Sequence, residues 1–211
     1  MTAISEQCAS KVRGIYSRND ASHDMDHILR VLQNARAIMD GMQGIDRTAV
    51  ELAVYLHDID DPKYKTAGSP SAADLLEELD VANSLASHVL AIIRSVSFSG
   101  GNETAIESRE AAVVRDADRL DAIGAVGIAR AFAYGGAKGR KLYDAAESAR
   151  VAMSEEEYRT KQTATVTHFH EKLFLLKDLM VTERGRQLAE ERHGFMAAFL
   201  RQLEQETGEK L

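Results

Sequence analysis

Apolar residues recur along most of this chain every three or four positions, the period of a helix that buries one face. Ile28, Val31/Leu32, Ala35 and Ile38/Met39 form one such stripe, and Ala49, Leu52, Ala53 and Leu56 form another. The pattern predicts helices over 2–17, from a Ser22 cap to about Asp40, and from Asp46 to His57–Asp58. Further helices are expected over Ser69–Leu79, over 83–96, and from about 107 through Phe132 with a bend near Asp118–Asp121. Gly41 and Gly44, then Pro62 and Gly68, punctuate the connections. Tyr134–Met153 lacks a periodic face and reads as a long loop. Ser154 with Glu157 makes a capping box ahead of a long helix whose inner face carries Val166, Phe169, Leu173, Leu176 and Met180. A last helix, about Glu183–Glu204, places Leu188, Phe195, Phe199 and Leu203 inward. No run alternates long enough to argue a sheet, so the expectation is all-α, one domain over 1–211.

Composition narrows the partners. The formal charge is −7, which argues against an extended nucleic-acid surface or an anionic membrane. No apolar run approaches membrane length, and the N-terminus lacks a signal-peptide core. The single Cys8 excludes an internal disulfide and suits a reducing compartment, so the cytoplasm is expected. An anionic substrate would need local cations or a metal.

Polar residues on core-facing stripes are the next signal. His57 lies four residues after Ala53, and His27 lies four before Val31. Burying such groups without partners is costly. Asp118 follows Ala111 and Val114 on one face, and Asp121 comes one turn later on the same face. Histidine with aspartate suits a divalent ion such as Mn²⁺, Fe²⁺ or Zn²⁺. Taken alone, the His57–Asp58 pair is equally a capped helix end with a satisfied histidine. His23 and His27 are spaced i, i+4 as in zinc peptidases, yet the string is HDMDH and lacks the catalytic glutamate of HExxH.

The strings SHDMDHILRV, YLHDIDDPK and VVRDADRLDAIGAVGIARAFAYGG, with the ordered H…HD…D, resemble the HD-domain metal-dependent phosphohydrolases. The closest likeness is to the small stand-alone bacterial HD hydrolases thought to act on nucleotides, and it covers about residues 20–140. The resemblance implies an all-α HD-type bundle, with helices over 154–206 packed on the motif-bearing core. It also implies one divalent metal, Mn²⁺ first and Mg²⁺, Fe²⁺, Co²⁺ or Ni²⁺ as alternatives, held by His27, His57, Asp58 and Asp118. The pattern ADRL puts the ligand at Asp118 and leaves Asp121 beside it, and His23 is taken as a helix-start residue supporting the ligands. Asp61 takes the general acid/base role of a matching acidic residue in related nucleotidases; a loop-capping carboxylate is the other reading.

Such an ion activates water and neutralises phosphoryl oxygens, chemistry that phosphoester and phosphoanhydride hydrolysis requires. Lys63, Arg30 and Arg119 are phosphate-binding candidates, against ordinary surface or ion-pair roles. Lys138, Arg140 and Lys141, among Gly135, Gly136 and Gly139, suggest a cationic lid for a polyphosphate, against an ordinary surface loop. The expected activity is (deoxy)nucleoside triphosphate (pyro)phosphohydrolysis. The alternatives are a nucleoside monophosphate 5'-nucleotidase and a non-catalytic, metal-stabilised nucleotide-sensing module. A homodimer is left open.

Overall fold

The computed structural model describes residues 2–17, 20, 23–96, 105–150 and 163–211, and among them there are helices and no strand. The order is α1 (Ala3–Tyr16), α2 (Met25–Met39), α3 (Arg47–Leu56), α4 (Ala72–Glu78), α5 (Asn83–Val96), α6 (Arg109–Asp121), α7 (Gly124–Ala137), α8 (Thr165–Glu171), a 3₁₀ helix (Leu173–Leu179) and α9 (Glu183–Thr207). The chain divides into two compact units, Met1–Asp118 and Arg119–Leu211.

In the first unit α3 is the centre, because every residue from Ala49 to Leu56 is buried. It packs against α1, α2 and α5. Each of α1, α2, α3 and α4 begins on a side-chain cap: Thr2 accepts from the Ser5 amide, Asp24 from the His27 amide, Asp46 from the Ala49 amide, and Ser71 with Asp74 forms a reciprocal capping box. The second helix therefore starts from Asp24, two residues beyond the expected Ser22, which lies outside the described residues. Tyr16 of α1 donates its hydroxyl to the Tyr55 carbonyl at 2.9 Å, and the backbone of Asp58 reaches the same hydroxyl. The buried end of α1 thus fixes the turn that carries the His57–Asp58 pair.

In the second unit α7 packs against α8 and α9 around Phe132, Phe169 and Phe199, whose ring centroids lie 5.8 to 6.2 Å apart. Stacked and edge-on aromatic pairs at this separation favour one defined arrangement. Four expectations change here. The bend after α6 falls at Ala122–Ile123, and Gly124 opens α7 with φ +74°. Residues 134–137, expected in a loop, complete α7. The long penultimate helix is instead α8 followed by the 3₁₀ helix, and the proposed Ser154–Glu157 capping box lies outside the described residues. Phe195 is 54% exposed, because the inward stripe of α9 runs through Gly185, Ala189, Met196 and Leu200.

Candidate metal centre

The His57–Asp58 pair sits where α3 ends. Helical carbonyls there lack amide partners, and the His57 Nδ1 takes one of them, lying 2.9 Å from the Val54 oxygen. A carbonyl can only accept, so the proton is on Nδ1 and the lone pair is on Nε2. That nitrogen faces a polar cluster. It lies 3.5 Å from Asp58 Oδ1 and 3.9 Å from Asp118 Oδ1. From α2, His27 Nε2 lies 3.6 Å from Asp58 Oδ2 and 3.6 Å from Asp118 Oδ1.

One donor atom each from His27, His57 and Asp118 falls within 4.8 Å of the others. Asp58 joins through its contacts with both histidines. Both imidazoles are buried, and the His57 Nε2 and Asp58 Oδ2 atoms are buried without a hydrogen-bond partner. Four groups that offer lone pairs meet there. A divalent ion fits this set, because it satisfies the orphaned atoms and balances two carboxylates. Burial alone would lower the His57 pKa, but the charges of Asp58 and Asp118 and the Val54 bond outweigh it and raise it.

The other candidates fall into different surroundings. Asp61 caps its own loop: its Oδ1 accepts from the Lys63 amide at 2.8 Å, and its carbonyl accepts from the amides of Tyr64 and Lys65. It still lies close enough for its charge to act on His57. Lys63 Nζ is 3.1 Å from Asp20 Oδ2. The His23 ring lies 5.9 Å from the His27 ring and 5.1 Å from that of Tyr64. Arg30 is half-buried one turn after His27.

In the second unit, Arg119 donates to the Leu179 carbonyl at 2.6 Å. Asp121 is paired with Arg130 at 2.6 Å. Lys141 is paired with Asp144, while Lys138 and Arg140 gather at the Tyr134 ring. Asp20 and Tyr64, which the motif pattern does not include, also meet beside His23. An aromatic residue inside the polar string DDPKYK was the available signal for Tyr64.

Residues 25–123 match the HD domain family. The chain is 39% identical over 206 residues to YpgQ of Bacillus subtilis, described as an uncharacterized protein, covering 95% of this chain and 92% of that one. The crystal structure of YpgQ in complex with ADP matches at 36% identity and a TM-score of 0.75, over 96% of this chain and 97% of that chain. A crystal structure from Lactobacillus plantarum matches at 34% identity and a TM-score of 0.83, over 99% and 98% of the two chains. An HD-superfamily hydrolase from Bacillus thuringiensis matches at 38% identity and a TM-score of 0.77, over 98% and 97%.

Proposed function

The chain belongs to the HD superfamily of metal-dependent phosphohydrolases, and we propose that it hydrolyses a phosphoanhydride bond of nucleotides, (deoxy)nucleoside triphosphates foremost. The observation that carries the reading is the convergence of His27, His57, Asp58 and Asp118, with two buried lone-pair atoms left unpaired. The ADP complex of a relative 36% identical supports the nucleotide. The free, buried Cys8 agrees with a reducing cytoplasm.

In this reading His27 and His57 would hold the ion through Nε2, and Asp58 and Asp118 would hold it through carboxylate oxygens. A divalent ion so held supplies an activated water and neutralises charge on the phosphoryl oxygens. The mixed nitrogen and oxygen set favours Mn²⁺, with Mg²⁺, Fe²⁺, Co²⁺ and Ni²⁺ as alternatives. Val54 fixes the His57 ring so that Nε2 stays presented. The more exposed Asp118 leaves the cluster open on its side, where a phosphate can enter. Asp61 transfers the proton between the water or leaving group and solvent, its carboxylate oriented by the Lys63 amide.

Product analysis on a panel of nucleoside mono-, di- and triphosphates with Mn²⁺ tests the reading. Pyrophosphate marks cleavage at the α-phosphorus, and orthophosphate marks terminal cleavage or a nucleotidase. Asp61→Asn is expected to keep nucleotide binding and lose turnover. Binding without hydrolysis by the wild-type protein, under Mn²⁺, Mg²⁺ and Co²⁺ alike, would sink the proposal and leave a nucleotide-sensing module.

A further inference from the structure

Beside the metal centre, three side chains from two distant segments close on one carboxylate. Lys63 Nζ lies 3.1 Å and the Tyr64 hydroxyl 2.6 Å from Asp20 Oδ2. His23 Nδ1 lies 3.3 Å from Asp20 Oδ1 and 2.8 Å from the Tyr64 oxygen. The tautomer follows from counting protons. Tyr64 has one hydrogen to give, and Asp20, an acceptor, takes it. His23 must then donate from Nδ1 to the Tyr64 oxygen. The Lys63 ammonium also sits 4.7 Å from the centre of the Tyr64 ring. Tyr64 is held as the neutral donor: burial first, then its bond to Asp20, pushes its pKa up to about 12.

We infer that Lys63, Tyr64 and His23 form a subsite for the second phosphate of a nucleotide polyphosphate, in which the Asp20 carboxylate stands in for the phosphate until substrate displaces it. Position is the first support. The His23 ring lies 5.1 Å from that of Tyr64 and 5.9 Å from that of metal-site His27, so the donors adjoin the centre at which the reacting phosphate would be held. Chemistry is the second. Carboxylate and phosphate oxygens accept the same charge-assisted hydrogen bonds, so the donor set is already oriented for an oxyanion.

Exchangeability is the third support. The Lys63 and Asp20 side chains are about half exposed, and an ion pair this wet contributes little to stability. A phosphate group carrying more charge and more oxygens competes well for the same donors. A nucleoside monophosphate placed at the metal has no second phosphate to offer and leaves Asp20 where it is. The cluster thus discriminates by phosphate number.

This inference rests on the nucleotide reading above, so binding and turnover are measured separately. The probes are the methylene-bridged analogue of ADP and AMP, titrated calorimetrically into the Mn²⁺-loaded full chain. Asp20→Asn frees the donors and is expected to bind the ADP analogue about three- to fivefold tighter, the scale of one exposed ion pair. AMP affinity is expected to stay within about twofold. Tyr64→Phe is expected to weaken the ADP analogue by a similar factor, and the gain from Asp20→Asn is expected to shrink in the double variant.

Unchanged or weaker binding by Asp20→Asn, or an equal gain for AMP, overturns the subsite. Should that variant fail to fold, Tyr64→Phe decides: selective loss for the ADP analogue supports the subsite, and equal affinity for it overturns the subsite. A wild-type protein that turns over no nucleotide yet shows these binding shifts refutes the hydrolase reading alone. Turnover with unshifted binding refutes the subsite alone.

Discussion

Asp118 and Asp121 stand one turn apart on α6, and their surroundings are opposite. Asp118 keeps 38% of its side chain exposed and turns toward two histidine nitrogens. Asp121 is 1% exposed and paired with Arg130 at 2.6 Å, and its charge also favours the cationic form of Arg192. The same contrast holds more widely. Glu171 is nearly buried and clasped by the Arg150 guanidinium through two hydrogen bonds and by its backbone amide through a third, whereas the orphaned atoms of His57 and Asp58 have no hydrogen-bond partner. A buried charge that has its counter-ion is a structural element. Buried acceptors that converge without one form a binding site, because an uncompensated cluster is costly unless a ligand completes it.

The largest expected effects come from exchanging these two kinds of site. His57→Ala, and equally Asp118→Ala, is expected to empty the centre of metal in elemental analysis. The same variants should cut kcat/KM by more than about a hundredfold, beyond the loss typical of residues that only orient a ligand. Both should cost the metal-free protein less stability than Asp121→Ala, since neither takes the carboxylate from an arginine pair. Asp121→Ala should do the reverse. It removes the carboxylate that Arg130 faces, leaving that guanidinium the Asp121 backbone carbonyl, and should cost about 3 kcal/mol in urea denaturation, with metal per folded molecule retained. If Asp121→Ala depleted metal as Asp118→Ala does, the division between the two aspartates would fail.

That division was not legible in the sequence, where both residues share one helical face. Only the HD-family resemblance chose Asp118, because helical period reports direction and not the partner found there. What period could deliver was good: α2, α3 and α5 fall close to their expected spans, and the inward placement of His27 and His57 follows from their stripes. Failures occurred where long-range packing overrides local preference.

Gly135 and Gly136 made residues 134–137 look like a loop, yet they complete α7. A Cβ at Gly135 would collide with the Thr165 hydroxyl, so the glycine serves close approach of α8. Phe195 suits an inward position in a regular stripe, but in a helix of 25 residues the stripe drifts past it to Met196. Asp20 and Tyr64 are 44 residues apart, and nothing local announces their contact.

A pair of histidines sharpens the same comparison at smaller amplitude. His57 is drawn toward protonation by two carboxylates despite burial. His168 goes the other way: burial first, then the charges of Lys172 and Arg140, pull its pKa down to about 4, with Glu171 opposing. Above pH 6.5 neither folded nor unfolded chain protonates this residue. As the pH falls from about 6.5 to about 4 the unfolded chain takes a proton that the folded one refuses, so stability is lost through that window. The gap corresponds to about 3 kcal/mol at most. Urea denaturation at stepped pH should show this slope in the wild-type protein and a flatter one in His168→Gln. An identical slope in both would assign the acid sensitivity to other groups.

The smallest effect expected comes from a residue that shares both characters. Asn34 is buried on α2, two turns after His27, and donates from Nδ2 to the Ala117 carbonyl at 3.0 Å. It therefore pins the helix bearing His27 to the residue just before Asp118. The bond is neutral and ordinary, worth about 1 kcal/mol to the fold. Its direction gives it a second consequence, since slack between α2 and α6 changes the distance between His27 and Asp118, two of the proposed metal ligands. Asn34→Ala is expected to lower stability by about 1 kcal/mol and to weaken Mn²⁺ binding by about fivefold, the same energy read as affinity. Asp46→Ala removes the α3 cap at a similar cost in stability, but it acts at the end of α3 remote from His57. The two variants should match in urea and differ in metal titration. If both bind Mn²⁺ equally well, Asn34 belongs with the paired, purely structural groups, and the centre does not depend on how tightly α2 is held to α6.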